Sequence, residues 1–119
     1  MADIKPNVQV DYKDHATVVT FVDRKILEEQ DIRGLQDSLN SVLDQMDDIC
    51  LVLDFCNVEF LSSAVLGLLL RLSKRIHERN GKLTLCSISP KIYEVFKITQ
   101  LTKVFESSDN VENALADLA

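Results

Sequence analysis

Glycine and proline are scarce in this chain, with three and two among 119 residues. So few breakers leave room only for short loops, and no linker, low-complexity tract or internal repeat interrupts the sequence. No apolar run reaches the roughly 20 residues that a helix needs to cross a bilayer. The opening MADIKPNVQV has no apolar signal segment, so a cytoplasmic protein is expected. Cysteine is equally sparse. Cys50, Cys56 and Cys86 form neither an even set nor a CxxC pair, which argues against a disulfide framework and fits a reducing compartment. His15 and His77 stand apart from them in sequence, and no metal site is expected. There is no G-x-x-x-x-G-K-[ST] loop, no G-x-G-x-x-G turn and no G-x-S-x-G elbow. The expectation is a protein that is not an enzyme and carries no cofactor.

What is present describes an acidic globular chain. Nineteen Asp and Glu against thirteen Lys and Arg give a net charge of −6. That balance disfavours nucleic acid, which needs a basic stripe, and an anionic membrane surface. A hydrophobic share of 46% suffices for one core, so residues 1–119 are expected to form a single domain. The one basic cluster, RLSKRIHERNGK from Arg71 to Lys82, reads as the solvated face of a helix.

The hydrophobic pattern alternates between two periods. Val8, Val10 and Tyr12 share one side of a strand, a polar turn follows, and ATVVTFV (16–22) completes a hairpin. Ile32, Leu35, Leu39, Val42, Leu43 and Met46 fit one stripe of a helix. ICLVLDF (49–55) is a short continuous apolar run, as in a central covered strand. A second helix runs from Ala64 to about Arg79 and stops at Asn80-Gly81. KLTLCSI (82–88) is a further strand. Ser89-Pro90 opens a third helix, in which Phe96 and Ile98 read as core. TKVFES (102–107) reads as a last strand, and Ser108 or Asp109 as the cap of a terminal helix. The order β-β-α-β-α-β-α-β-α predicts an α/β fold: a mixed, mostly parallel sheet of about five strands with helices mainly on one face.

The phrase FCNVEFLSSAVLGLLLRL, Phe55 to Leu72, concentrates the functional question. Two serines, Ser62 and Ser63, stand between a strand and a buried helix. One serves as N-cap, accepting a hydrogen bond from an orphan backbone N–H. The other keeps a free hydroxyl at the positive end of a helix, just past the end of a strand, where ligands gather in open α/β sheets. Neither histidine is placed to act as a base for it. A hydroxyl with no machinery to use it is suited to being acted upon: phosphorylation adds about −1.5 to −2 charge.

On these residues the chain resembles the STAS family, the fold of bacterial anti-sigma factor antagonists. LVLDF is similar to the family's strand ending in Asp, VEFLSSAVLGLLL to its phrase F-[ILM]-D-S-S-G-L-G-x-L-L, and the segment from Gly81 to Leu115 to its C-terminal half. The resemblance implies that Ser63 is the phosphorylated serine, with Ser62 the alternative acceptor. It places Asp54 close to that acceptor. It implies a partner-binding surface around Asp23, Asp54, Ser62, Ser63, Ala64, Leu66 and Gly67. Ser62, Ala64 and Val65 depart from the family's Asp, Ser and Gly, whereas Leu66 and Gly67 match. The implied partners are an anti-sigma factor with serine kinase activity, which the unphosphorylated protein binds and from which the phosphorylated protein is released, and a resetting phosphatase. The alternative is a non-phosphorylated STAS subunit of a transporter or signalling scaffold.

Overall fold

The computed structural model describes residues 3–4, 8–13, 16–22, 25–26, 29–44 and 49–118. Its elements are β1 (Asp3–Ile4), β2 (Val8–Tyr12), β3 (Thr17–Phe21), β4 (Lys25–Ile26), α1 (Glu29–Asp44), β5 (Cys50–Asp54), β6 (Phe60–Leu61), α2 (Ser63–Glu78), β7 (Lys82–Cys86), α3 (Pro90–Ile98), a 3-10 turn (Leu101–Lys103), β8 (Glu106–Ser108) and α4 (Val111–Leu118). Six strands form one sheet in the order β1-β2-β3-β5-β7-β8. The hairpin β2–β3 is antiparallel, and β3, β5, β7 and β8 run parallel. The α/β class and the five expected strands are therefore present.

Alternation decides which face each side chain joins. Leu51, Leu53 and Phe55 enter the larger core with Val19, Phe21, Leu83 and Leu85. Helices α1, α2 and α3 close that core with Leu39 and Leu43, Leu69 and Ile76, and Ile92 and Phe96. Between them, Val52 points to the other face, where it meets Val18, Cys86 and Ala114 of α4. Coverage on both faces is why β5 reads as an unbroken apolar run.

The second helix is fixed at its far end. Arg79 donates to the Leu43 carbonyl at 2.6 Å, and Arg75 reaches Asn40 and pairs with Asp44 at 3.2 Å. The basic cluster read as a solvated face thus holds α2 to α1 in part, satisfying a carbonyl that the end of α1 leaves open. Asn80 takes a left-handed φ of 62°, and Gly81 N–H donates to the Ile76 carbonyl at 2.8 Å. Together with Asn80 N–H on the His77 carbonyl at 3.1 Å, this is a Schellman stop.

Three local expectations need correction. Leu101–Lys103 is a 3-10 turn, and the last strand begins only at Glu106. Leu101 and Phe105 are both buried, and the turn is closed by the Val104 and Phe105 N–H groups, which both donate to the Leu101 carbonyl at 3.0 Å. Helix α4 is capped by Asn110, whose Oδ1 accepts from Asn113 N–H at 2.8 Å, while Ser108 donates to Asp117. Ile98 is 79% exposed. It lies two residues past Phe96, about 200° around the helix, and so off the stripe of Ile92 and Phe96. The pairs β1–β2 and β4–β6 add two-residue strands that no hydrophobic period announces.

Candidate functional site

The site is a loop folded over the end of the central strand. Phe55 N–H donates to the Cys86 carbonyl at 3.0 Å, extending the β5–β7 pairing by one residue. The chain then turns: Asp54 Oδ1 accepts from Cys56 N–H at 3.0 Å, and the Phe55 carbonyl accepts from Val58 N–H at 3.0 Å. Asn57 donates its side-chain amide to the Phe21 carbonyl at 3.1 Å, fastening the turn to the end of β3. Val58, 2% exposed, plugs the core beneath. Phe60 and Leu61 pair in parallel with Lys25 and Ile26. These contacts deliver the chain to the start of α2 in one direction.

Ser62 is the cap. Its backbone is extended, at φ −90° and ψ 163°, and its hydroxyl accepts from Val65 N–H at 3.4 Å. Its carbonyl accepts from Val65 and Leu66 N–H at 3.1 and 3.4 Å. Ser63 is therefore the first helical residue, and its side chain is exposed. Of the two serines, the first serves the fold and the second projects outward. Ser62→Ala is expected to lower stability by about 1 kcal/mol, and Ser63→Ala by less than about 0.5 kcal/mol. Urea denaturation of the three proteins measures both; equal losses would contradict the assignment of the cap.

The first turn of α2 holds no acidic residue, so no carboxylate of the helix itself answers its positive dipole end. Lys91, in the first turn of α3, lies with its ammonium 4.0 Å above the centre of the Phe60 ring. Asp54, 8% exposed, is spent on shaping the loop. Its neighbourhood suppresses thiolate chemistry. Burial first, and then the Asp54 charge, push the Cys86 thiol up to about 11. The exposed Cys56 thiol is likewise raised, by partial burial and by Asp54.

Most of the residues expected to form the site share this corner. Ser62, Ser63 and Ala64 lie at the start of α2, and Gly67 lies half-buried one turn on. Leu66 turns into the core at 8% exposure. Asp54 ends the strand that feeds the loop. Asp23 lies outside the described residues. Asn57, Val58, Phe60 and Lys91 were not anticipated; an aromatic residue in a loop, Phe60, was the one available signal. Among the described residues no group of His, Cys, Asp and Glu is arranged to hold a metal ion, and no helix is long and apolar enough to cross a membrane.

A mixed sheet backed by three helices, presenting an exposed neutral hydroxyl at a helix start, defines a small α/β protein whose notable surface is a helix end and its loop. The chain belongs to the STAS domain family, whose sequence model matches residues 7–114. An anti-sigma F factor antagonist of Paenibacillus polymyxa is 31% identical over 68 residues, covering 57% of this chain and 58% of that protein. The matched stretch thus spans less than two thirds of that relative. A STAS domain protein of Planctomyces limnophilus, solved as an anti-sigma factor antagonist, superposes with a TM-score of 0.84 at 28% identity, over 94% of this chain and 97% of that one. The Bacillus cell-fate determinant SpoIIAA in its phosphorylated form shares the fold, with a TM-score of 0.71 at 16% identity over 94% and 99% of the two chains.

Proposed function

We propose that this protein is an anti-sigma factor antagonist, switched by phosphorylation at Ser63. Unphosphorylated, it binds an anti-sigma factor with serine kinase activity through the start of α2 and the loop before it, and sigma factor is released. The anti-sigma factor then transfers a phosphoryl group from ATP to the Ser63 hydroxyl, whose proton is lost, and ADP leaves. The added charge ejects the antagonist, and a phosphatase restores the hydroxyl by hydrolysis. The protein acts by binding; the chemistry belongs to its partners.

The observation that carries this reading is the division of labour between the serines. Ser62 holds the cap, so Ser63 is exposed and its hydroxyl is not needed by the fold. A dianion there is tolerated by the helix dipole, while the same charge inside a docking interface costs desolvation and repels acidic groups. The family membership and the two antagonist relatives point the same way.

The test is intact-mass measurement after incubation with ATP and a histidine-kinase-like ATPase that binds this protein. One phosphate is expected on the wild type and on Ser62→Ala, and none on Ser63→Ala. Stable binding without any phosphate would overturn the switch and leave a constitutive STAS adaptor in a transporter or scaffold, with Ser62 a cap and Ser63 its neighbour.

A further inference from the structure

We propose that Arg71 is the counter-ion of the phosphoryl group on Ser63, reaching back along α2 over Gly67 to bind it. The inference rests on the reading above for the presence of the phosphate. Its geometry is that of the unmodified protein.

Ser63, Gly67 and Arg71 lie in one helix at successive steps of four residues, so they follow one another along one face. Long side chains on a helix run back over the turn that precedes them. Arg71 does so: its Nη1 lies 3.6 Å from the point where a Cβ on Gly67 would sit. The guanidinium thus rests on bare backbone one turn from Ser63. Side-chain carbons four residues apart on a helix are about 5–6 Å from each other. Arg71 Nη1 is therefore within about 10 Å of the Ser63 Cβ before either side chain moves. A phosphoryl group lengthens the serine, and both side chains are exposed. The same arrangement gives Gly67 a reason. A glycine in a helix interior is less favourable than an alanine. Gly67 has no left-handed φ, and among the described residues a Cβ there would meet Arg71 alone. Neither a turn nor the core demands it. A longer side chain would fill the path that leads from Arg71 to Ser63.

Arg71 is also the arginine of α2 that the fold leaves uncommitted. Arg75 pairs with Asp44 and reaches Asn40, and Arg79 donates to the Leu43 carbonyl. Among the described residues Arg71 has no ion pair or hydrogen bond of this kind. It borders the cleft between α1 and α2, and among the described residues lining that cleft none is a carboxylate. A guanidinium with its donors unspent suits a phosphate, which it meets with two parallel hydrogen bonds. The other charges at this corner are placed differently. Lys91 holds its ammonium over the Phe60 ring. Asp54 is buried, with Oδ1 turned to the Cys56 amide. Capture by the phosphate takes Arg71 out of the surface offered to a partner. Phosphorylation therefore adds negative charge and withdraws a positive group in one step.

The test installs phosphoserine at position 63 during synthesis, by stop-codon suppression, so that no kinase is needed. Phosphorus NMR then follows the second ionisation of the phosphate, ordinarily at about pH 6. A neighbouring cation favours the dianion and lowers that midpoint. Arg71→Gln is expected to raise it by about half a unit or more. Arg71→Lys keeps the charge without the planar fork and is expected to raise it by less. Gly67→Leu keeps Arg71 but blocks its path, and is expected to raise the midpoint as well. Lys74→Gln removes the same charge farther along α2 and is expected to leave the midpoint in place. Thermal melting verifies that each variant is folded. A midpoint unmoved by Arg71→Gln would overturn the assignment, and so would one moved as far by Lys74→Gln or by Lys91→Gln. Whether a kinase delivers the phosphate is decided by the intact-mass experiment. Failure there removes the switch, whereas an unmoved midpoint here removes Arg71 alone.

Discussion

Phe55→Ala is expected to lower folding stability by about 3–5 kcal/mol, the largest effect of any change considered for this chain. The ring is 1% exposed and meets Phe21 edge-to-face, with centroids 4.8 Å apart and planes at 65°. Truncation removes its burial, leaves a cavity between two strand ends, and deletes an aromatic pair worth roughly 1 kcal/mol beyond area. The backbone of the same residue holds the β5–β7 extension and the turn that leads to the serines. The damage therefore falls directly under the site. Urea denaturation measures it, and Phe55→Leu, which keeps most of the volume, should lose about half as much or less. A loss under about 1 kcal/mol for the alanine variant would mean that the ring is not packed as described.

Gly81→Ala is the second. A glycine at a helix stop is usually explained by a left-handed φ, but here Asn80 takes that conformation and Gly81 does not. Its reason is space. A Cβ at Gly81 would lie 2.4 Å from the Ile49 carbonyl oxygen and 2.9 Å from Ile76 Cγ2. The Ile49 oxygen cannot retreat cheaply, because it accepts from Lys82 N–H at 2.8 Å at the start of the β5–β7 pairing. Adding one methyl must part α2 from β5 or break that hydrogen bond, at a cost of about 2–3 kcal/mol. Comparison with Asn80→Gly in thermal melts separates the two explanations. If conformation mattered at Gly81, both substitutions would act modestly; if space matters, only Gly81→Ala is severe.

The parts of this fold visible in the sequence are those governed by periodicity. ICLVLDF announces a central strand covered on at least one face, and burial of Val52 as well as of its neighbours Leu51 and Leu53 shows that both faces are covered. Leu39, Leu43, Leu69 and Ile76 mark the inner stripes of α1 and α2. Capping chemistry marked the entry of α2 and α3, although choosing between Ser62 and Ser63 required the backbone. What escaped was decided by single contacts. TKVF has a strand-like composition, but the Val104 and Phe105 N–H groups both donate to the Leu101 carbonyl and close a 3-10 turn there. Ile98 is apolar, but two residues past Phe96 it falls on the far side of the helix from Ile92 and Phe96. The position of Lys91 over Phe60 joins residues from separate elements, and no local pattern encodes it. At the site, the free hydroxyl was legible.

The small β4–β6 pair has a kinetic meaning. It joins Lys25–Ile26 to Phe60–Leu61 across the whole of α1 and β5, through only two residue pairs. Closing so long a loop for so few contacts is entropically late. The central strands and their helices are thus set before the strand that delivers the serines finds its partner. The same pair is the first to open from the native state. The amides of Phe60 and Leu61 should exchange with solvent at a free energy well below that of global unfolding, while those of β5 and β7 report the whole domain. The loop before α2 is in this sense the last part of the molecule to finish folding, and a partner that covered it would lend it order that its own contacts only partly provide.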